Sequence, residues 1–248
     1  MVQLAQLAAT AIENADLYDE TRRANQAKDE FFAVLSHELR TPLTSILGWA
    51  QLCRDEASSH LVRQTIDSIE NSARAQARLV DELLDVSRIM TDKLTIDREP
   101  VDLSAVVAQT VESFRPAAAA RPVTLVSQVS PAIHVTGAAA RLRQVVGNLL
   151  SNAVKFTPAG GFVETHLRAR NGEIILSARD TGAGIDRSRL RAIFERYEQA
   201  GTGRSLGGLG LGLWIVRHIV SAHGGAIDAS SEGPGRGSIF TVTLPATT

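Results

Sequence analysis

Over the first ninety or so residues the apolar positions recur every three or four residues, which is the period of a helix. Phe32, Leu35, Leu39, Leu43, Ile46, Leu47 and Ala50 form one such stripe and predict a helix over 31–52. Pro42 interrupts it, a defect costing ~3 kcal/mol in a helix interior. Because the stripe resumes at once at Leu43, the expectation is one kinked helix and not two. The polar run DEASSH at 55–60 predicts a break, with His60 in the turn. Leu61, Ile66, Ile69, Ala73, Val80, Leu83, Val86 and Met90 then predict a second long helix. Two long helices with a short connection make an antiparallel hairpin. One hairpin buries only one face well, so a pair of hairpins in a dimeric four-helix bundle is expected. Upstream, residues 1–30 contain no Gly or Pro and read as continuous helix. Leu4, Leu7, Ala11 and Tyr18 fit a seven-residue repeat, but Asn14, Thr21, Asn25 and Lys28 occupy intervening repeat positions. That pattern fits a marginal signalling coiled coil or an ordinary amphipathic helix about equally well.

After Glu99-Pro100 the period changes. Helices are predicted over 103–120, 138–154 and 211–222, and strands over 122–129, 162–170, 173–179 and 238–244. Asn171-Gly172 separates two of the strands and is a strong hairpin signal. Strands and helices in mixed order predict an α/β sandwich of roughly 150 residues, a usual domain size. The fold class is therefore α + α/β, with expected parts at 1–30 (signalling helix), 31–93 (helical hairpin) and 94–248 (sandwich).

Composition narrows the function. Hydrophobic content of 44% supports real cores, and a net charge of −1 gives no electrostatic case for nucleic acid or an anionic membrane. The lone Cys53 excludes a disulfide framework and reads as a small packed side chain. No run of eighteen or more apolar residues and no signal peptide is seen, so a cytoplasmic location is expected. His60, His134, His166, His218 and His223 have no convincing metal-ligand context.

The candidate chemistry begins at His37, which lies off the apolar stripe beside Glu38. Alone, the pair reads as a solvated surface couple. Farther on, Asn148 and Asn152 stand four apart with Lys155 three later, so two amides and a cation share one helix face. Amide oxygens suit a hard cation, and an ammonium suits phosphates. D-x-G-x-G at Asp180, Gly182 and Gly184 is a turn signal after a strand, and residues 201–212 hold six glycines.

Taken together, SHELRTPL (36–43), NLLSNAVKFT (148–157), DTGAGI (180–185), IFERYEQ (193–199), GTGRSLGGLGLG (201–212) and GRGSIF (235–240) resemble, in order, the boxes of the sensor histidine kinases. The resemblance runs from about residue 31 to 245. It implies that His37 accepts the γ-phosphoryl group of ATP, with Glu38 hydrogen-bonding or deprotonating the imidazole. It also implies that Asn148 ligates Mg²⁺, that Asn152 and Lys155 hold phosphates, and that Phe156 flanks the base. Asp180 would read the adenine amine, Gly182 and Gly184 would let the backbone turn close to the ring, and Ile185 would pack on it. A glycine-rich lid would close over the phosphates with Arg204 near the γ-phosphate. Gly208, Gly210, Leu211 and Gly212 would bring amides to the phosphates at a helix N-terminus. Ser238 stands where the family usually has Thr, and Tyr197 where a second Phe is common. Thr41, three after Glu38, fits the family's spacing for kinases that also dephosphorylate their regulator; the competing reading is a local bond near Pro42.

One departure is Ala138, where the family usually has a helix-capping Asp worth ~1 kcal/mol. The opening of the chain is also similar to the last helix of a GAF sensor domain, so a longer parent protein is expected. Implied partners are a second copy of the chain and the receiver domain of a response regulator. Two rivals remain: an ATPase of the same nucleotide fold that makes no phosphohistidine, and a degenerate dimeric docking module.

Overall fold

The computed structural model describes Tyr18, residues 35–36, 38–51, 59–196 and 209–246, with the backbone alone for 59–64. The expectations for the coiled coil (Tyr18 apart), for His37, Cys53, Tyr197, Arg204 and Gly208, and for the lid at 201–207 lie outside the described residues. The chain divides into two compact units. One holds residues up to Val80 with Gly207–Leu209, and the other holds Asp81–Leu206 with Gly210–Thr248.

In the helical unit, α1 covers 38–51 and runs through Pro42 without a break. Helix α2 covers Ser59–Met90, of which the part from Asp81 on belongs to the second unit; His60 lies in its first turn and not in the connection. The polarity of Ser58, Ser59 and His60 suits a solvated helix start as well as a turn, so composition alone does not place the boundary. Ser72 Oγ donates to Ser45 Oγ at 3.2 Å, joining the two helices. Much of the apolar stripe is left uncovered within one chain: Leu47 is 59% and Ile66 47% exposed.

The second unit is a two-layer sandwich. Its strands are β1 (Glu99–Asp102), β2 (Thr124–Val129), β3 (His134–Gly137), β4 (Phe162–Arg170), β5 (Glu173–Asp180), β6 (Ala226–Ser230) and β7 (Ser238–Pro245). Its helices are α3 (Leu103–Ala120), α4 (Ala139–Phe156) and α5 (Gly212–Ala222). The main sheet has the order β2-β4-β5-β7-β6, with β2 parallel to β4 and every other pair antiparallel. Strands β1 and β3 form a separate ribbon, in which Pro100 costs no interior ladder bond. Alternation along β4 and β5 buries Val163, Thr165, Leu167, Ile174, Leu176 and Ala178. The helices cover that face, where α4 contributes Leu142, Val145, Val146, Leu149, Leu150, Ala153 and Val154. Asn171 and Gly172 both have positive φ (54° and 80°), the conformation of a type I′ hairpin turn.

Two short strands, β1 and β6, were not legible. Each has four or five residues with little hydrophobic alternation, and pairing, not pattern, makes them strands.

Candidate functional site

The register of the sheet brings the first two site residues together. Asp180 ends β5 and Ser238 opens β7 directly opposite it. Ser238 Oγ donates to Asp180 Oδ2 at 2.5 Å, and the Gly182 amide donates to Asp180 Oδ1 at 2.8 Å. Asp180 is only 5% exposed, and these bonds hold it as an oriented acceptor. Each carboxylate oxygen has two lone-pair directions, so one further donor can be accommodated. An exocyclic amine fits that requirement, because a buried acceptor needs a donor and not another acceptor.

The turn after β5 is pressed against the end of α4. Ala183 N–H donates to the Phe156 carbonyl at 3.1 Å, and a Cβ on Gly182 would lie 2.4 Å from that same oxygen. No side chain fits there. Gly184 has φ +67°, and its amide neighbour Ile185 donates to Ser231 Oγ at 3.0 Å. Ser231 in turn donates to the Gly237 carbonyl at 2.6 Å, while Gly237 N–H returns to the Gly182 carbonyl at 3.1 Å. The loops at 181–185 and 231–237 thus fix each other. Ser231 was missed from the sequence: a serine in a Gly/Pro-rich loop has no signature until its partner is known. Asp186 caps the following 3-10 turn, and the Ser188 hydroxyl and amide hold its carboxyl below the usual carboxylate range.

On α4, the residues Arg141, Gln144, Asn148, Asn152 and Lys155 follow each other at helical spacing and are all half-buried, flanking the apolar core face. Asn148 Nδ2 lies 3.5 Å from the carbonyl of Gly212, the first residue of α5. Lys155 Nζ sits 5.0 Å from the ring centroid of Phe156, whose ring is also half-buried. Leu211 is fully buried at the N-cap of α5 and makes no side-chain bond to the first-turn amides, which follow Gly210 at φ +66°. An oxygen-seeking cation and an anion both suit this corner, since it offers an amide oxygen, an ammonium group and helix amides. Asn148, Asn152, Lys155, Phe156, Asp180, Gly182, Gly184, Ile185, Gly210, Leu211, Gly212 and Ser238 therefore all belong to this sandwich, on α4, β5, β7, the N-terminus of α5 and their adjoining turns. In the helical unit, Glu38 is half-buried and Thr41 exposed, both on α1.

Beyond Phe194, which meets Phe240 edge-on at 6.4 Å, Arg196 holds its guanidinium 5.7 Å from the Trp214 ring. Among the described residues, no cluster of His, Cys, Asp or Glu could hold a metal ion. A metal here would depend on amide and phosphate oxygens.

Residues 137–248 match the model of the histidine kinase-, DNA gyrase B- and HSP90-like ATPases, and residues 27–92 match that of the His Kinase A (phospho-acceptor) domain. The chain is 35% identical to hybrid signal transduction histidine kinase D of Dictyostelium discoideum, over 89% of this chain and 18% of that protein. It is 34% identical to the sensor histidine kinase RcsC of Escherichia coli (93% and 24%). It is also 34% identical to the autoinducer 2 sensor kinase/phosphatase LuxQ of Vibrio harveyi (91% and 27%). Among solved structures, full-length ShkA in complex with AMPPNP superposes with a TM-score of 0.66 at 30% identity, covering 89% of this chain and 46% of that one. The mycobacterial sensor histidine kinase MprB gives 0.53 at 33% identity, over 60% of this chain and 97% of that one. The chain spans less than a third of the length of these three curated relatives.

Proposed function

The chain belongs to the sensor histidine kinases of two-component systems, and on that premise we propose that it phosphorylates its own His37 from Mg·ATP. The phosphoryl group then passes to an aspartate of a response-regulator receiver domain. Support for the nucleotide half comes from one observation above all: the buried Asp180 carboxylate, oriented by Ser238 and Gly182 to take one more donor. Support for the acceptor half comes from the phospho-acceptor match, which spans residue 37.

In the first reaction, an imidazole nitrogen of His37 attacks the γ-phosphorus in line. The P–N bond forms as the bond to the β–γ bridging oxygen breaks, and ADP leaves with that electron pair. Glu38 accepts the ring proton or hydrogen-bonds the ring, which makes the attacking nitrogen a better nucleophile. Asp180 holds the adenine by its amine, and Ile185 and Phe156 flank it. Asn152 and Lys155 would hold the phosphates, with the Lys155 ammonium offsetting their charge. Mg²⁺, when bound, neutralises the polyphosphate, and Asn148 would ligate it. Positioning and charge neutralisation supply most of the catalysis in such transfers.

A second copy of the chain is the natural cover for the exposed apolar positions of α1 and α2. A phosphatase activity toward the regulator, with Thr41 orienting the water, is supported by the Glu38–Thr41 spacing and by a relative named as a sensor kinase/phosphatase. No described helix is long and apolar enough to cross a membrane.

Incubation with γ-labelled ATP tests the central reading. The intact chain should acquire an acid-labile, alkali-stable phosphate, and His37→Gln should acquire none while binding nucleotide normally. Hydrolysis without a phosphoprotein would indicate an ATPase, and no turnover at all would indicate a docking module.

A further inference from the structure

We propose that Asp85, near the C-terminal end of α2, is a positioning residue for the nucleotide, acting through α4; this rests on the nucleotide site described above. Nothing in the box motifs includes Asp85. Yet its side chain is only 5% exposed, and a buried carboxylate persists only with partners that replace its hydration. Both of its strong partners come from α4. Arg141 Nη1 reaches Oδ1 at 2.7 Å and Oδ2 at 2.8 Å, and Gln144 Nε2 reaches Oδ2 at 2.7 Å. Arg141 also donates to Gln144 Oε1 at 2.8 Å, which closes a three-residue ring of bonds. Arg88, one turn along α2, approaches at 3.8 Å from a largely exposed position.

What makes this more than a structural ion pair is where it lies on α4. Arg141 and Gln144 head the same half-buried stripe that continues through Asn148, Asn152 and Lys155. Gln144 stands one turn before Asn148, about 6 Å along the axis at 1.5 Å per residue. A helix transmits a rotation or slide of its first turn undiminished over that distance. The apolar face of α4 restrains it from the sheet side, and the Asp85 clamp restrains the polar face.

The start of α4 needs such a restraint. Ala138 at its N-cap offers no side-chain bond, and no acidic residue lies in the first turn. A second outside hold on that end is His223, whose Nε2 takes the Ala138 N–H at 3.1 Å while Nδ1 faces the Ile219 carbonyl at 2.7 Å. A hydrophobic contact would serve stability at least as well as a buried ion pair, but it would not fix the rotation of the helix about its axis.

The test uses the full chain and separates the two arms of the site. Asp85→Asn keeps the size of the side chain and removes its charge. It should weaken binding of a non-hydrolysable ATP analogue with Mg²⁺ about tenfold, and raise the Mg²⁺ concentration needed for half-maximal binding. Binding of AMP in EDTA, which depends on the Asp180 arm, should change less than twofold. Arg141→Gln should behave alike, and the double variant should lose no more than either single variant. Equal loss for AMP and the Mg²⁺-bound analogue, additivity in the double variant, or unchanged affinity would each overturn the proposal. If Asp85→Asn does not fold, Gln144→Leu carries the same test, with about threefold weaker analogue binding expected and no change overturning it. If the wild-type chain itself binds no nucleotide, or Asn148→Ala binds the Mg²⁺-bound analogue normally, the fault lies in the underlying nucleotide reading and not in the clamp.

Discussion

Asp180 shows how much one side chain carries. Both of its oxygens are already engaged from within, by the Gly182 amide and the Ser238 hydroxyl. Asp180→Asn should therefore spare the fold: the amide oxygen can still accept from Gly182, and the Ser238 hydroxyl can reverse from donor to acceptor. On the proposed role, the mismatch should fall on the adenine amine, at a cost of ~1–3 kcal/mol, or roughly five- to 150-fold in ATP affinity. Calorimetry should show this loss with an unchanged melting temperature, and unchanged affinity would remove Asp180 from base recognition. Thr41 is the other residue whose role can be separated by substitution. It lies exposed on α1, three residues after Glu38, where a hydroxyl can orient a water without acid–base strength. Thr41→Ala should lower dephosphorylation of the regulator and leave autophosphorylation intact. Loss of both together would assign the hydroxyl to the Pro42 region as a structural bond.

Among the elements, α4 carries four of the candidate site residues, and its weak point is its N-cap. Ala138 already has the extended backbone that an N-cap requires, with φ −102° and ψ 113°. Ala138→Asp should add ~1 kcal/mol, raising the melting temperature of the ATP-binding unit by about 2–4 °C. An unchanged melting temperature would mean that the holds from Asp85 and His223 already supply what a cap would. The neighbouring Gly137 tolerates no such change, since a Cβ there would fall 2.3 Å from His223 Cδ2. The helix start that lacks a side-chain cap thus coincides with a His223 ring packed against it.

At the scale of the whole molecule, the helical unit leaves Leu43, Leu47, Ile66 and Val80 between 45% and 59% exposed. Apolar positions at helical spacing on both helices of a hairpin need a cover, and a second hairpin supplies one. Sedimentation of the intact chain should report a dimer. Leu47→Glu together with Ile66→Glu should shift it to monomer, because two charges would have to be buried without partners. A wild-type monomer at micromolar concentration would require a different cover.

The sequence alone determined what depends on local period and local chemistry. The spacing of Leu35 to Ala50 and of Ile66 to Met90 dictates amphipathic helices, and Asn171-Gly172 dictates its turn, because both effects act within a few residues. The same holds for Asn148, Asn152 and Lys155 sharing a face, which follows from the helical repeat. The tertiary structure decided what depends on residues far apart in the chain. It set Asp180 against Ser238 through strand register, joined Ser231 to the turn at Gly184, and made strands of 99–102 and 226–230 by giving them partners. It also brought Asp85 to Arg141 and Gln144 across more than fifty residues. No pattern along the chain encodes such pairings, since their energy exists only once the backbone has already been brought together.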